Sequence, residues 1–142
     1  MDKSTVSTFS FLGYRVDYIH YEVNPKFKKI DNLQTDLTID LKTTVSEELF
    51  KGQVTIIAKL FMDKKENYPF RLEVSLTGMF SMSETTDVEL LRKCIKINGT
   101  TALFPFLRSI VADITKSANV QPLVMPLLNI NRLIEQQEKS NK

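Results

Sequence analysis

The chain has 142 residues, 42% hydrophobic and 25% charged, which is enough for one buried core and too apolar for a disordered chain. Its 19 basic and 17 acidic residues leave a net charge of +2, too mild to point to nucleic acid as a partner. A lone cysteine, Cys94, excludes an internal disulfide and fits a reducing, cytoplasmic setting.

Residues 1–8 contain no apolar run, which predicts no secretory leader. A single domain over 1–142 is expected, with 1–10 and 137–142 as flexible ends. Tyr14, Val16 and Tyr18 alternate on one strand face, and Ile19, Tyr21 and Val23 then continue in the opposite phase. That slip predicts a bulge near Tyr18 and Ile19. Leu37, Ile39 and Leu41 alternate with polar residues in a second strand. Val54, Ile56, Ala58, Leu60 and Met62 form a third stripe, with Ile57 and Phe61 on its reverse. The fourth is the clearest: Phe70, Leu72, Val74, Leu76, Gly78, Phe80 and Met82 face one way, and Arg71, Glu73, Ser75 and Thr77 the other. Short turns at Ser46-Glu47-Glu48 and Asp63 to Asn67 predict antiparallel hairpins. One apolar face per strand predicts a sheet covered on one side only.

The period then changes. Thr86-Asp87-Val88-Glu89 reads as a capping box that opens a helix carrying Val88, Leu91 and Ile95 and stopping near Asn98-Gly99. A second helix is expected from Thr100 or Thr101, with Pro105 tolerated in its first turn and Leu103, Leu107, Ile110 and Ile114 at helical spacing. An apolar loop follows Asn119, pinned by Pro122 and Pro126. Asn129 can cap a last helix through Ile130, Leu133 and Ile134, before a polar, frayed tail from Glu135. Strands first and helices after them give an α+β domain with the helices on one sheet face. The uncharged run 117–131 falls short of the ~20 residues that span a bilayer, so no membrane insertion is expected.

Catalytic chemistry finds little purchase. His20 and Cys94 are the only such side chains of their kinds, too few for a structural zinc site and too scattered to suggest a nucleophile–base pair. Gly13, Gly52, Gly78 and Gly99 build no phosphate-cradling loop. No enzyme, cofactor or metal is expected. The apolar segment 120–128 either closes the open end of the core or presents a binding surface, and composition leaves both open.

Taken in order, the four strands, Leu103-Phe104-Pro105-Phe106-Leu107-Arg108, the Pro122 and Pro126 loop and the short last helix resemble the SecB protein-export chaperones. Their signature helix begins with a similar Leu-Phe-Pro-Tyr-Ala-Arg. Gly78-Met79-Phe80 is similar to a Gly-Ile-Phe segment at the end of that family's fourth strand. The resemblance implies a SecB-like α+β fold, assembly as a homotetramer (a dimer of dimers), and an ATP-independent holdase that keeps unfolded polypeptide clients from aggregating. It further implies a client groove drawing on Phe104, Phe106, Leu107 and Ile110, under a lid from Val120 through Leu123, Val124, Met125, Leu127 and Leu128. Export-dedicated members are acidic and dock the SecA motor; here Glu22 and Glu73 are the residues that could serve, but the sequence pI is 8.6 and Arg71 is close in the chain to Glu73. A chaperone serving a toxin–antitoxin system, an adaptor binding one folded partner, and a small-ligand carrier are the alternatives.

Overall fold

The computed structural model describes residues 9–83, 87–120 and 129–140. Four strands, β1 (Phe9–Val23), β2 (Leu37–Ser46), β3 (Lys51–Leu60) and β4 (Phe70–Met82), precede two helices, α1 (Val88–Ser117) and α2 (Ile130–Ser140). The strands form one antiparallel sheet in the order β1-β4-β3-β2. Both expected hairpins are present, and the inward stripes of β3 and β4 are buried as their alternation requires. Helix α1 lies across β3 and β4, so the core is Val54, Ile56, Ala58, Leu60, Leu72, Val74, Leu76 and Phe80 against Leu91, Ile95, Leu103, Leu107 and Val111.

Three local expectations need correction. Phe61, placed by alternation on the reverse of β3, is buried, because the backbone turns left-handed there (φ 60°) and brings its ring to Phe70 at 5.3 Å. The helix predicted to stop near Gly99 continues without interruption to Ser117, so Pro105 sits in a helix interior and not in a first turn. Gly99 is instead a packing residue: a Cβ there would lie 2.8 Å from Val54 Cγ2 and 3.2 Å from the Phe80 ring. The missing side chain lets α1 approach the sheet. Finally, the N-cap of α1 is Asp87, whose Oδ1 accepts from the Leu90 N–H at 3.0 Å; Thr86 lies outside the described residues.

Gly99→Val should therefore cost about 3 kcal/mol through overpacking against Val54 and Phe80, two side chains with no room to move. Urea denaturation checks this. A cost under about 0.5 kcal/mol would mean that the helix does not depend on the close approach.

The C-terminal end of α1 closes tightly. Asn119 adopts the left-handed conformation (φ 61°), its N–H bonds the Lys116 carbonyl, and the Val120 N–H bonds the Thr115 carbonyl. This paired 5→2 and 6→1 pattern is a Schellman closure, and it folds Val120 back onto the core. Asn129 caps α2 as expected, with Oδ1 accepting from the Arg132 N–H at 3.1 Å. Helix α2 runs on to Ser140, through residues expected to fray, and Phe9 and Ser10 belong to β1.

Candidate functional site: the open apolar face of the sheet edge

Helix α1 covers β3 and β4 but leaves most of β1 beside it uncovered. The side chains of β1 that share the helix-side face follow from the register: Phe9, Phe11, Tyr14, Val16, Ile19, Tyr21 and Val23 stand opposite Met82, Phe80, Gly78, Leu76, Val74, Leu72 and Phe70. Their spacing is not strictly two. Leu12 and Asp17 are extra residues, each a bulge in β1, and each shifts the phase by one. Without these bulges the row would break at Tyr14 and again at Ile19 and send half its apolar side chains to the other face. The predicted slip is thus real but lies at Asp17, one residue earlier than Tyr18. Tyr18 consequently points to the outer face, not with Tyr14 and Val16 as expected.

A polar cluster holds the second bulge. Asp17 accepts from Thr77 Oγ1 at 2.7 Å, Ser75 Oγ at 3.0 Å and Arg15 Nε at 2.8 Å, while Thr77 also shares a bond with Thr55. Burial opposes ionisation of Asp17, yet the bonds from Arg15, Thr77 and Ser75 outweigh it and hold the carboxyl below the usual carboxylate range. A carboxylate depressed on folding stabilises the native state above its unfolded pKa, and that stabilisation is lost as pH falls through the folded value. Asp17→Ala should cost about 1–3 kcal/mol at neutral pH, since it also leaves Ser75 and Thr77, both nearly fully buried, without their acceptor. The gap to wild type should narrow at acid pH, as denaturation at pH 7 and pH 3 would reveal; an unchanged gap would show that the carboxylate charge contributes nothing.

The row is exposed to a degree that decides its role. Val16 is 42% exposed, Ile19 43% and Val23 54%, whereas the facing β4 residues are 0–3% exposed. At the N-terminal end of the row the rings form a ladder: Phe9 and Phe11 stack on Phe80 at 5.3 and 5.2 Å, and Phe106 of α1 meets Phe11 at 5.5 Å and Tyr14 at 4.7 Å. At the other end a shallow depression of about 360 Å³ is lined by Tyr21 of β1 and by Asp113, Ile114, Ser117 and Ala118 near the end of α1. The face is therefore a long apolar trough with aromatic and aliphatic halves, walled on one side by α1.

The predicted groove residues divide. Phe106, 37% exposed, and half-buried Ile110 flank the trough. Phe104 and Leu107, at 6% and 0% exposure, are core, because their side of α1 faces the sheet. Val120 is half-buried by the Schellman closure, and Leu123, Val124, Met125, Leu127 and Leu128 lie outside the described residues. The β1 row itself was missed as a site. Its alternation was legible, but alternation does not say that the covering helix stops short of an edge strand.

The outer face differs in kind. The Tyr18 hydroxyl donates to Glu73, and that bond pushes the phenol up to about 12. Lys59 pairs with Asp40 at 3.1 Å, and Glu22 stands opposite Arg71. Glu22 and Glu73 thus sit on a surface of mixed sign rather than on an acidic patch. His20 is on this outer face and Cys94 is on α1, with the sheet between them. Among the described residues no three His, Cys, Asp or Glu side chains gather as a metal site, and no helix is long and apolar enough to cross a membrane.

Comparison with known proteins gives a consistent picture. The profile of the family described as preprotein translocase subunit SecB matches residues 20–141. A protein-export protein SecB of Wolbachia pipientis subsp. Culex pipiens is 32% identical over 108 residues, 75% of this chain and 56% of that protein. One from Maricaulis maris is 35% identical over 95 residues, 63% of this chain and 51% of that protein. An uncharacterized protein of Methanocaldococcus jannaschii is 26% identical over 92% of this chain and 84% of its own length. The chain thus spans about half the length of the curated SecB relatives it matches. Among solved structures, the SecB-like chaperone of Mycobacterium tuberculosis in complex with a peptide from an antitoxin superposes with a TM-score of 0.72 at 18% identity, over 86% of this chain and 91% of that one. That likeness confirms the expected α+β fold.

Proposed function

The chain belongs to the SecB family, and from that premise we propose that it is an ATP-independent holdase whose β1 trough binds non-native polypeptide. The observation that carries this reading is the row of Val16, Ile19 and Val23, three aliphatic side chains left about half open beside a well-packed core. A monomer rarely leaves so regular an apolar row uncovered unless something docks there. The ligand suited to it is extended and sequence-tolerant, because the trough offers apolar contact along its length and few fixed polar groups. Such binding needs neither catalysis nor a cofactor.

The mixed-sign outer face favours a holdase serving particular clients over one docked to the SecA motor, since Glu73 already bonds Tyr18 and Glu22 faces Arg71. The solved complex of the mycobacterial relative with an antitoxin peptide supports a dedicated client of that kind. Assembly as a homotetramer in the cytoplasm is part of the proposal. It is supported by the family and by β1, a fifteen-residue outer strand with β4 on one side only.

The test is fluorescence anisotropy with a reduced, carboxymethylated polypeptide that cannot refold. Saturable binding of the unfolded chain, with none of its native form, is the expected result. Equal binding of a folded protein would favour the adaptor reading, and binding of neither would remove the holdase reading.

A further inference from the structure

The β1–β2 and β3–β4 connections meet at the end of the sheet where the apolar row of β1 runs out at Val23, opposite Phe70. A carboxamide joins them: Asn67 Oδ1 accepts from the Lys28 N–H at 2.8 Å, and Asn67 Nδ2 donates to the Lys28 carbonyl at 3.0 Å, across 39 positions of chain. Asn24 makes a similar bridge, its N–H bonding the Pro69 carbonyl at 3.0 Å and its Nδ2 the Tyr68 carbonyl at 2.7 Å. Arg71 stacks on the Tyr68 ring at 4.2 Å and donates from Nη2 to the Lys64 carbonyl at 3.1 Å. Two short basic runs, Lys26-Phe27-Lys28-Lys29 and Lys64-Lys65, are thereby brought from distant parts of the sequence to one end of the sheet.

These lysines are available to a partner. Lys26, Lys28, Lys29 and Lys65 are exposed, and Lys64 is half-buried. Among the described residues the ion pairs are Arg15 with Asp17, Lys59 with Asp40, Arg92 with Glu47 and Lys96 with Glu138, and none of them draws on these two loops. Asp31, Asp36, Asp63 and Glu66 belong to the same loops, yet none of them pairs with a lysine there; Asp63 instead accepts from Thr38 Oγ1 at 3.4 Å. Side-chain amides thus fix the main chain of both loops while the lysines they carry stay unpaired. An anion that docks on loops already fixed does not meet the cost of ordering them.

We propose that these lysines read acidic residues flanking the client's apolar segment, so that the trough favours apolar stretches with a carboxylate-rich neighbour. The proposal rests on the holdase reading and adds a charge preference to it. Position commits the occupant. Val23 ends the apolar row, Asn24 follows directly, and a turn closed by the Phe27 N–H on the Asn24 carbonyl sets Lys26 and Lys28 just beyond. An extended client covers ~3.3 Å per residue, so side chains within about five residues of the one over Val23 come within reach. Lysine ammonium groups act as separate point charges on flexible stems, which suits carboxylates at varied spacing. Contacts of this solvated kind are individually weak, and their sum steers encounter and selects among clients more than it adds grip. Apolar contact alone discriminates poorly between unfolded chains, and charge beside it supplies the discrimination.

Fluorescence anisotropy with synthetic peptides tests this, each peptide an unfolded apolar segment flanked at both ends by Glu, Gln or Lys. At low salt the wild type should bind the Glu-flanked peptide ~10-fold more tightly than the Gln-flanked one, mostly through faster association, and the gap should close as salt passes about 0.15 M. Lys26→Gln/Lys28→Gln/Lys29→Gln should remove the preference and leave the affinity for the Gln-flanked peptide unchanged. Lys42→Gln/Lys51→Gln/Lys93→Gln, an equal loss of charge at exposed positions elsewhere, should keep it. Equal affinity of the wild type for the Glu and Gln flanks overturns the proposal and leaves the trough reading intact. Loss of the preference in both variants overturns it in favour of net charge. Capture of single-stranded RNA or anionic vesicles through these lysines, with no preference among peptides, overturns it in favour of another anionic partner. If no peptide binds at all, both readings fall.

Discussion

Val16→Asp combined with Ile19→Asp should weaken client capture roughly 100-fold while the protein stays folded. Both side chains stand in the middle of the trough at 42% and 43% exposure, so neither is needed to fill the core. Burying each under a client contributes about 1.5–3 kcal/mol at most, and the partial burial already present in the free protein roughly halves that. Aspartate removes the gain and adds the cost of desolvating a carboxylate. Together the two changes should weaken binding by about 3 kcal/mol, or roughly 100-fold. Anisotropy measures the affinity, thermal denaturation the fold and light scattering the mass. Leu49→Asp is the control, because Leu49 is 65% exposed in the β2–β3 turn and outside the trough. Unchanged affinity in the double variant would remove β1 as the client site. Loss of affinity together with loss of mass would place the row in a contact between copies.

Phe80→Ala is the most damaging single truncation the structure suggests, with an expected cost of about 3–5 kcal/mol. Phe80 is fully buried and is the hub of the ring ladder, stacked by Phe9 and Phe11 from β1 and set beside the Gly99 notch of α1. Its removal leaves a cavity at the place where strand, helix and trough meet. The N-terminal part of β1 loses its main anchor, so Phe11, Tyr14 and Phe106 lose their mutual arrangement as well. Domains of this size are stabilised by about 5–15 kcal/mol in total, which makes partial unfolding near physiological temperature the expected outcome. Chemical denaturation gives the magnitude. A cost below about 1.5 kcal/mol would show that the ladder packs without its hub.

These two residue sets illustrate what the sequence could and could not convey. The burial of Phe80 was legible because β4 alternates without a break from Phe70 to Met82, and a strand with strict period two has only one way to face its core. The phase slip in β1 was legible as well, but not its position. Asp17, Tyr18 and Ile19 are each plausible extra residues until the register with Val74, Ser75 and Leu76 fixes which one has no partner. Gly99 was misread because glycine signals both a helix end and a close approach, and only Val54 and Phe80, distant in sequence, decide between them. Phe104 and Leu107 could not be separated from Phe106 and Ile110, since the centre of α1 is apolar on more than one side and sequence does not say which side meets the sheet. The SecB family and its fold, by contrast, were visible in the order of a few short motifs. The bonds that Gln137 of α2 makes to the Leu41 N–H and the Ile39 carbonyl left no trace in the pattern, because one polar residue in a polar tail resembles its neighbours.

The central claim is that an open apolar trough on β1 holds non-native chains. It is tested most directly by light scattering of an aggregating, chemically unfolded client mixed with the wild-type protein and with the Val16→Asp/Ile19→Asp variant. The wild type should suppress aggregation at stoichiometric amounts and the variant should not. Aggregation that proceeds equally in both, at the rate of client alone, would contradict it.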